Sequence, residues 1–222
     1  MATIKVSAYR WVPPSAQGLV RDLRVRWALE ETGLPYEERM LGSGEQSSET
    51  YRALQPFGQV PAFEEDSLVL FESGAIVYHI AERSERLMSA DPVVRAQTLT
   101  WMFAALNTVE PPISFLNQIG LMGNDAQSAQ PVRAALLERV GKRLATLRDR
   151  LERRDYLVGG RFSAADLLMT TVLRALRTTN LVAEIPVLDN YRLRCETRPA
   201  FQKALADQMA HFARNAPPSP AQ

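Results

Sequence analysis

The sequence predicts a two-part chain, a small α/β domain with element order βαβαββα followed by a wholly helical bundle. Three observations predict it. Strand and helix signals alternate over residues 1–85, whereas the apolar residues beyond 91 recur only at helical spacing. The 222 residues fit one large domain or two small ones at roughly 150 residues per domain. The charge also changes sign along the chain: a net +1 conceals −5 over residues 1–85 and +6 over 86–222. The boundary is placed near Ser84–Asp91. This gives domains over 1–85 and 91–214 and a flexible tail over 215–222.

Ile4 to Trp11 reads as a strand, being β-branched and aromatic with no breaker before Pro13 and Pro14. Leu19, Leu23 and Trp27 recur at i, i+4, i+8 ahead of Gly33, an amphipathic helix ended by glycine. Tyr36 to Leu41 is a second strand and Ser47 to Leu54 a short helix. Val60 to Glu64 and Leu68 to Phe71 are strands around a Glu65–Asp66–Ser67 turn, and Ser73 to Arg83 is a helix. A β-α-β unit followed by a hairpin and a helix fits a mixed sheet with helices packed on it. In the second part Leu99, Met102, Phe103, Leu106 and Val109 share one face. Val132, Leu136, Val140, Leu144, Leu147 and Leu151 share another, and Leu167, Leu168, Val172, Ala175 and Leu176 a third.

Composition removes several functions. The 26 basic and 25 acidic residues leave no excess cation for a nucleic-acid surface. A single cysteine, Cys195, excludes a disulfide framework and cysteine-based metal clusters, and two distant histidines, His79 and His211, do not suggest a metal site. There is no signal-peptide pattern and no run near the roughly 18 apolar residues that span a bilayer. The expected location is the cytoplasm. The arginines at 148, 150, 153 and 154 read as a solvated face.

Two motifs carry the functional reading. QPFGQVPAF over residues 55–63 with FESGAI over 71–76, and GRFSAADLLM over 160–169, resemble glutathione transferases. The resemblance covers roughly residues 4 to 210 and is to the cytosolic, bacterial-type, non-cysteine members. It implies a thioredoxin-like first domain that binds glutathione and a helical domain that carries the electrophile pocket. It implies a cis bond before Pro61, leaving the backbone N–H and C=O of Val60 to pair with the cysteinyl backbone of glutathione. It implies that Ser73 and the helix N-terminus take the γ-glutamyl carboxylate, since such termini favour anions, and that Glu72 takes the ammonium. Gln46 and Gln59 would reach the glycine carboxylate. Taken from the residues alone, Ser73 is equally an N-cap worth about 1 kcal/mol. Ser163 and Asp166 form a capping box, which is a folding device.

A transferase must hold glutathione's sulfur as a thiolate, because a thiol titrating near 8.5 is mostly protonated at neutral pH. With no cysteine in the first domain, the donor is assigned to Ser15, the hydroxyl of the loop after the first strand. Its other reading is a cap of the first helix. Tyr9 is expected within the strand and so less well placed; Gln17, the Trp11 N–H, Arg21 or a backbone amide are alternatives. Trp11, Phe103 and Asn107 are expected in the electrophile pocket, opened by a kink at Pro111–Pro112. The resemblance further implies a homodimer, and no metal is expected. The activity expected is thiolate attack on an electrophilic, mostly apolar small molecule. The alternatives are a glutathione-dependent disulfide or peroxide reductase, and a non-catalytic protein on the same fold.

Overall fold

The alternation in residues 4–9 becomes β1 (Ile4–Tyr9), whose Ile4, Val6 and Ala8 are buried. The structure is a computed structural model and describes residues 3–121 and 129–218. β1 pairs in parallel with β2 (Tyr36–Leu41) through α1 (Asp22–Thr32). It pairs antiparallel with β3 (Ala62–Glu65), and β3 with β4 (Leu68–Phe71), giving the sheet order β2-β1-β3-β4. A 3₁₀ turn (Glu45–Ser47) and the one-turn α2 (Glu49–Arg52) lead into β3, and α3 (Ser73–Ala81) follows β4.

The first helix starts later than its apolar spacing suggests. Pro13 to Leu19 form successive turns, Gly18 has φ 72°, and α1 begins only at Asp22. Its end is as expected, with Gly33 at φ 72° donating its N–H to the Leu29 carbonyl. α1 is buried on nearly every side, including Asp22, Arg24, Arg26 and Glu31. It packs against β1, α3 and the last helix of the chain, α9 (Pro199–Arg214).

The chain divides into a unit of residues 1–84 with 198–222 and a unit of residues 85–197. α9 groups with the α/β unit, whereas the sequence places it in a helical domain over 91–214. Trp27 and Phe201 stack edge to face at 4.7 Å. The Trp27 indole N–H donates to Glu31 (3.0 Å), and the Arg198 guanidinium grips the same carboxylate at 2.5 and 2.8 Å. Lys203 pairs with Glu30 and His211 with Glu38. Gln208 donates to Asp22 (2.8 Å), which also receives Arg26 (2.7 Å). Burial pushes the Asp22 carboxyl above its ordinary value, opposed by Arg26. Part of the opposite charge of the two halves is thus spent in docking α9 on α1. Of the expected tail, residues 216–218 have no regular structure and 219–222 lie outside the described residues.

The second unit contains α4 (Pro92–Phe103), a π-helical stretch (Ala104–Val109), α5 (Glu110–Leu121), α6 (Ala129–Leu151), α7 (Ala164–Arg174) and α8 (Pro186–Glu196). The helix neither ends nor breaks at Pro111–Pro112. The prolines cannot donate to the carbonyls four residues back, and the chain winds wider just before them, with the Glu110 N–H reaching the Ala105 carbonyl. Met102, Ala105 and Val109 are buried, whereas Phe103 is 57% exposed. Val140, Leu144, Leu147 and Leu151 are buried along α6, but Val132 is exposed. Arg150 is not simply solvated: it donates to the Leu157 carbonyl at 2.6 and 3.1 Å and lies over the Trp101 ring. Cys195 is fully buried and forms no disulfide. No helix among the described residues is long and apolar enough to cross a membrane.

α7 is the centre of this unit, and the capping box forms at its start. Asp166, with no exposed surface, accepts from the N–H groups of Leu157 (2.8 Å) and Ser163 (2.9 Å). It also accepts from the hydroxyls of Ser163 (2.8 Å) and Tyr191 (3.0 Å). Burial pushes its carboxyl up to about 6 against these donors. A carboxyl raised in the folded state stabilises the fold fully below its unfolded value near 3.8. That contribution is lost as pH rises to about 6, an effect on the order of 3 kcal/mol. The stability of the native protein relative to Asp166→Asn is therefore expected to fall between pH 4 and pH 6, as read from urea midpoints. A difference that stays constant over that range would refute the assignment.

Candidate functional site

The sheet register gathers the predicted residues at one end. β1 and β2 are parallel with Tyr9 opposite Leu41, so both finish there. β3 runs against β1 and starts there, and β4 finishes there with Phe71 opposite Ala62. The segments meeting this end are the loop after Tyr9, the loop after Leu41 with Gln46, the Gln59–Pro61 entry into β3, and Glu72–Ser73 before α3. A cavity of about 440 Å³ opens here, lined by Tyr9, Arg10, Trp11, Val12, Leu41 and Gln46 among others.

The Val60–Pro61 bond is cis. On either side of it the backbone is occupied. The Gln59 N–H donates to Gln55 Oε1 (3.1 Å), and the Gln59 carbonyl accepts from the Tyr51 hydroxyl (2.7 Å). The Ala62 N–H donates to Ser7 Oγ (2.6 Å), and Ser7 Oγ lies 2.7 Å from the Tyr51 oxygen. Between them Val60 is only 7% exposed, yet its N–H and C=O have no hydrogen-bond partner among the described residues. Buried backbone groups are nearly always paired, so this pair has donor and acceptor capacity to offer an extended backbone. The Gln59 side chain is exposed. Gly58, at φ 64°, brings the loop against the Gln46 turn; a Cβ there would sit 2.8 Å from the Gln46 carbonyl oxygen. The Gln46 side-chain oxygen is itself buried without a partner.

Ser73 opens α3 and is 4% exposed. Its oxygen accepts from Arg24 Nη1 (3.2 Å), which leaves its own proton to donate beside the unpaired N–H groups of the helix start. An arginine, a hydroxyl and a helix N-terminus together suit a carboxylate. Glu72 has φ 69° and ψ 111°, a backbone conformation that costs a non-glycine residue about 1–3 kcal/mol and collects at functional sites. Its carboxylate is exposed and makes no cap bond.

The loop after β1 differs from expectation. Ser15 is exposed in the turns before α1 and does not line the cavity. It does not cap α1, whose N-cap is Arg21. Tyr9, the last residue of β1, lines the cavity and packs on the Leu41, Tyr51, Val60 and Ala62 cluster. Partial burial pushes its phenol up, so it stays a proton donor at neutral pH. Trp11 lines the same cavity, and Gln17 is turned back to the Val12 carbonyl (3.1 Å). Phe103 and Asn107 belong to the other unit, where both are exposed; Asn107 lines a hollow of about 160 Å³ with Pro111, Pro112 and Phe115. Arg24, Ser7 and Tyr51 were not foreseen. Arg24 sits beside the apolar Leu23 of α1, and Tyr51 ten residues ahead of Pro61, but neither position announces a partner far away in sequence.

Residues 15–82 match the family model "Glutathione S-transferase, N-terminal domain" and residues 113–199 match "Glutathione S-transferase, C-terminal domain". A glutathione S-transferase of Hyoscyamus muticus is 31% identical over 199 residues, covering 82% of this chain and 92% of that protein. The chain belongs to the glutathione S-transferase family. Among solved structures, glutathione transferase F7 from Populus trichocarpa superposes with a TM-score of 0.79 at 28% identity, covering 93% of this chain and 99% of that one. The glutathione S-transferase fold also occurs in other settings. Elongation factor 1-gamma of Equus caballus is 29% identical over 169 residues, covering 71% of this chain but only 37% of that protein.

Proposed function

We propose that this chain is a glutathione transferase of the bacterial, non-cysteine type, acting in the cytoplasm as a homodimer on an electrophilic, mostly apolar small molecule. One observation carries the reading: the unpaired N–H and C=O of buried Val60 beside Pro61, at the sheet end where Ser73 and the α3 N-terminus also lie. Glutathione would add a short extended segment at Val60. Its γ-glutamyl carboxylate would meet Ser73 and the α3 amides, its ammonium Glu72, and its glycine carboxylate the amides of Gln46 and Gln59. The electrophile would lie against Trp11, which lines the cavity. The chemistry is a lowered thiol pKa, by hydrogen-bond donation to the sulfur with the thiol proton released to solvent, followed by attack of the thiolate on the electrophilic carbon, which forms the carbon–sulfur bond as a leaving group such as halide departs.

Ser15 is the proposed donor to the sulfur. Tyr9 is a second reading, favoured by its place in the cavity wall. Ser15→Ala and Tyr9→Phe decide between them, with the pH profile of conjugation as readout. The true donor's loss is expected to move the thiol pKa up and to lower the neutral-pH rate by about 10²-fold. A profile unmoved in both variants would sink both assignments.

A non-catalytic binding role is favoured by one observation, the likeness to elongation factor 1-gamma. Titration calorimetry with glutathione, then parallel assays with an aryl halide and a small disulfide, separates transferase, reductase and binder. No binding at millimolar glutathione would overturn the proposal.

A further inference from the structure

The hydroxyls of Ser7 and Tyr51 lie buried between two ends of the Gln59–Ala62 segment, and proton counting fixes the direction of every bond. The Gln59 carbonyl can only accept, so the single Tyr51 proton goes to it (2.7 Å). Tyr51 oxygen must then accept from Ser7, whose single proton points to it (2.7 Å). Ser7 oxygen accepts the Ala62 N–H (2.6 Å). The run is Ala62 N–H to Ser7 O–H to Tyr51 O–H to the Gln59 carbonyl, with no alternative polarity. Bonds in such a chain polarise one another. Burial pushes the Tyr51 phenol up, so the terminal proton is present across the neutral range. Ser7 is 1% exposed and Tyr51 4%, so water does not readily substitute for either.

The run closes a ring with the covalent segment from Gln59 to Ala62. It engages the groups on either side of Val60 and, with Pro61 having no N–H, leaves Val60 as the one residue of the segment whose N–H and C=O both stay open. We propose that Ser7 and Tyr51 are a pair of positioning residues that hold the Val60 edge in register for the backbone of a bound peptide, without touching that peptide. This rests on the glutathione reading of the same edge.

The test is a cycle of Tyr51→Phe, Ser7→Ala and the double variant, with folding checked by thermal melts. KM for glutathione is expected to rise about tenfold in each single variant. The kcat, the KM for the aryl halide and the thiol pKa should stay unchanged, because neither hydroxyl meets the sulfur. The double variant should lose little more than either single one, since one broken link disables the run. The proposal is overturned if a folded single variant keeps the native KM for glutathione, if kcat falls instead, or if the two losses add as independent sites. If the native protein fails to bind glutathione, the functional reading falls. Hydrogen exchange at the Ala62 amide then decides the positioning claim, which needs faster exchange in both variants and is refuted by exchange unchanged in either.

Discussion

Asp166→Ala is expected to destabilise the helical unit by about 3 kcal/mol or more, the sum of several buried donors left without an acceptor. The carboxylate receives two backbone N–H groups and two hydroxyls at 2.8 to 3.0 Å, all from buried residues. The loss is expected even though the charge itself is costly to bury, because alanine removes the acceptor along with the charge. It also unties three segments at once: the start of α7, the Leu157 loop ahead of it, and Tyr191 on α8. Urea denaturation measures it. A midpoint shift worth less than about 1 kcal/mol would show that the site collapses around the vacancy and that the four bonds contribute little. Glutathione binding by whatever fraction remains folded should be unaltered, since Asp166 has no part in the first unit.

Ser73→Ala is expected to weaken glutathione binding by between tenfold and a hundredfold, the range for one hydrogen bond to a charged group. The hydroxyl is oriented from behind by Arg24 at 3.2 Å, so its proton faces away from the guanidinium. Alanine keeps the helix start and its amides but removes the hydroxyl and leaves Arg24 one acceptor short. Calorimetry with glutathione and with a γ-glutamyl analogue lacking the α-carboxylate separates the contributions. The variant should discriminate less between the two ligands than the native protein does. Equal discrimination would place the carboxylate elsewhere and dissociate Ser73 from recognition.

The elements with strong local chemistry were legible in the residues. β2 and β4 match their predicted bounds, Gly33 ends α1, and Ser163 with Asp166 starts α7, because each depends on neighbours within a few positions. The cis bond before Pro61 was legible because a motif carried it. What was not legible depends on distant partners. Arg24 reads as one more charged residue of a surface helix, and only the packing of α1 between α3 and α9 turns it inward. Ser7 reads as an ordinary strand residue until Tyr51 arrives from 44 positions away. Tyr9 was set aside because its strand was drawn two residues too long; with β1 ending at Tyr9, the phenol stands at the strand's mouth. Phe103 adjoins the buried face set by Met102, Ala105 and Val109 at i, i+3 and i+7, and a stripe drawn one residue too wide takes it in.

The return of α9 to the α/β unit has a consequence for how the protein is made. Glu31, Glu30 and Asp22 precede the helical unit in the chain, but Arg198, Lys203 and Gln208, which complete them, follow it. The α/β unit is thus a split module with the entire helical unit spliced into its chain. Its contacts cannot be completed until the whole helical unit has been synthesised, even though its sheet lies wholly ahead of that unit in the chain.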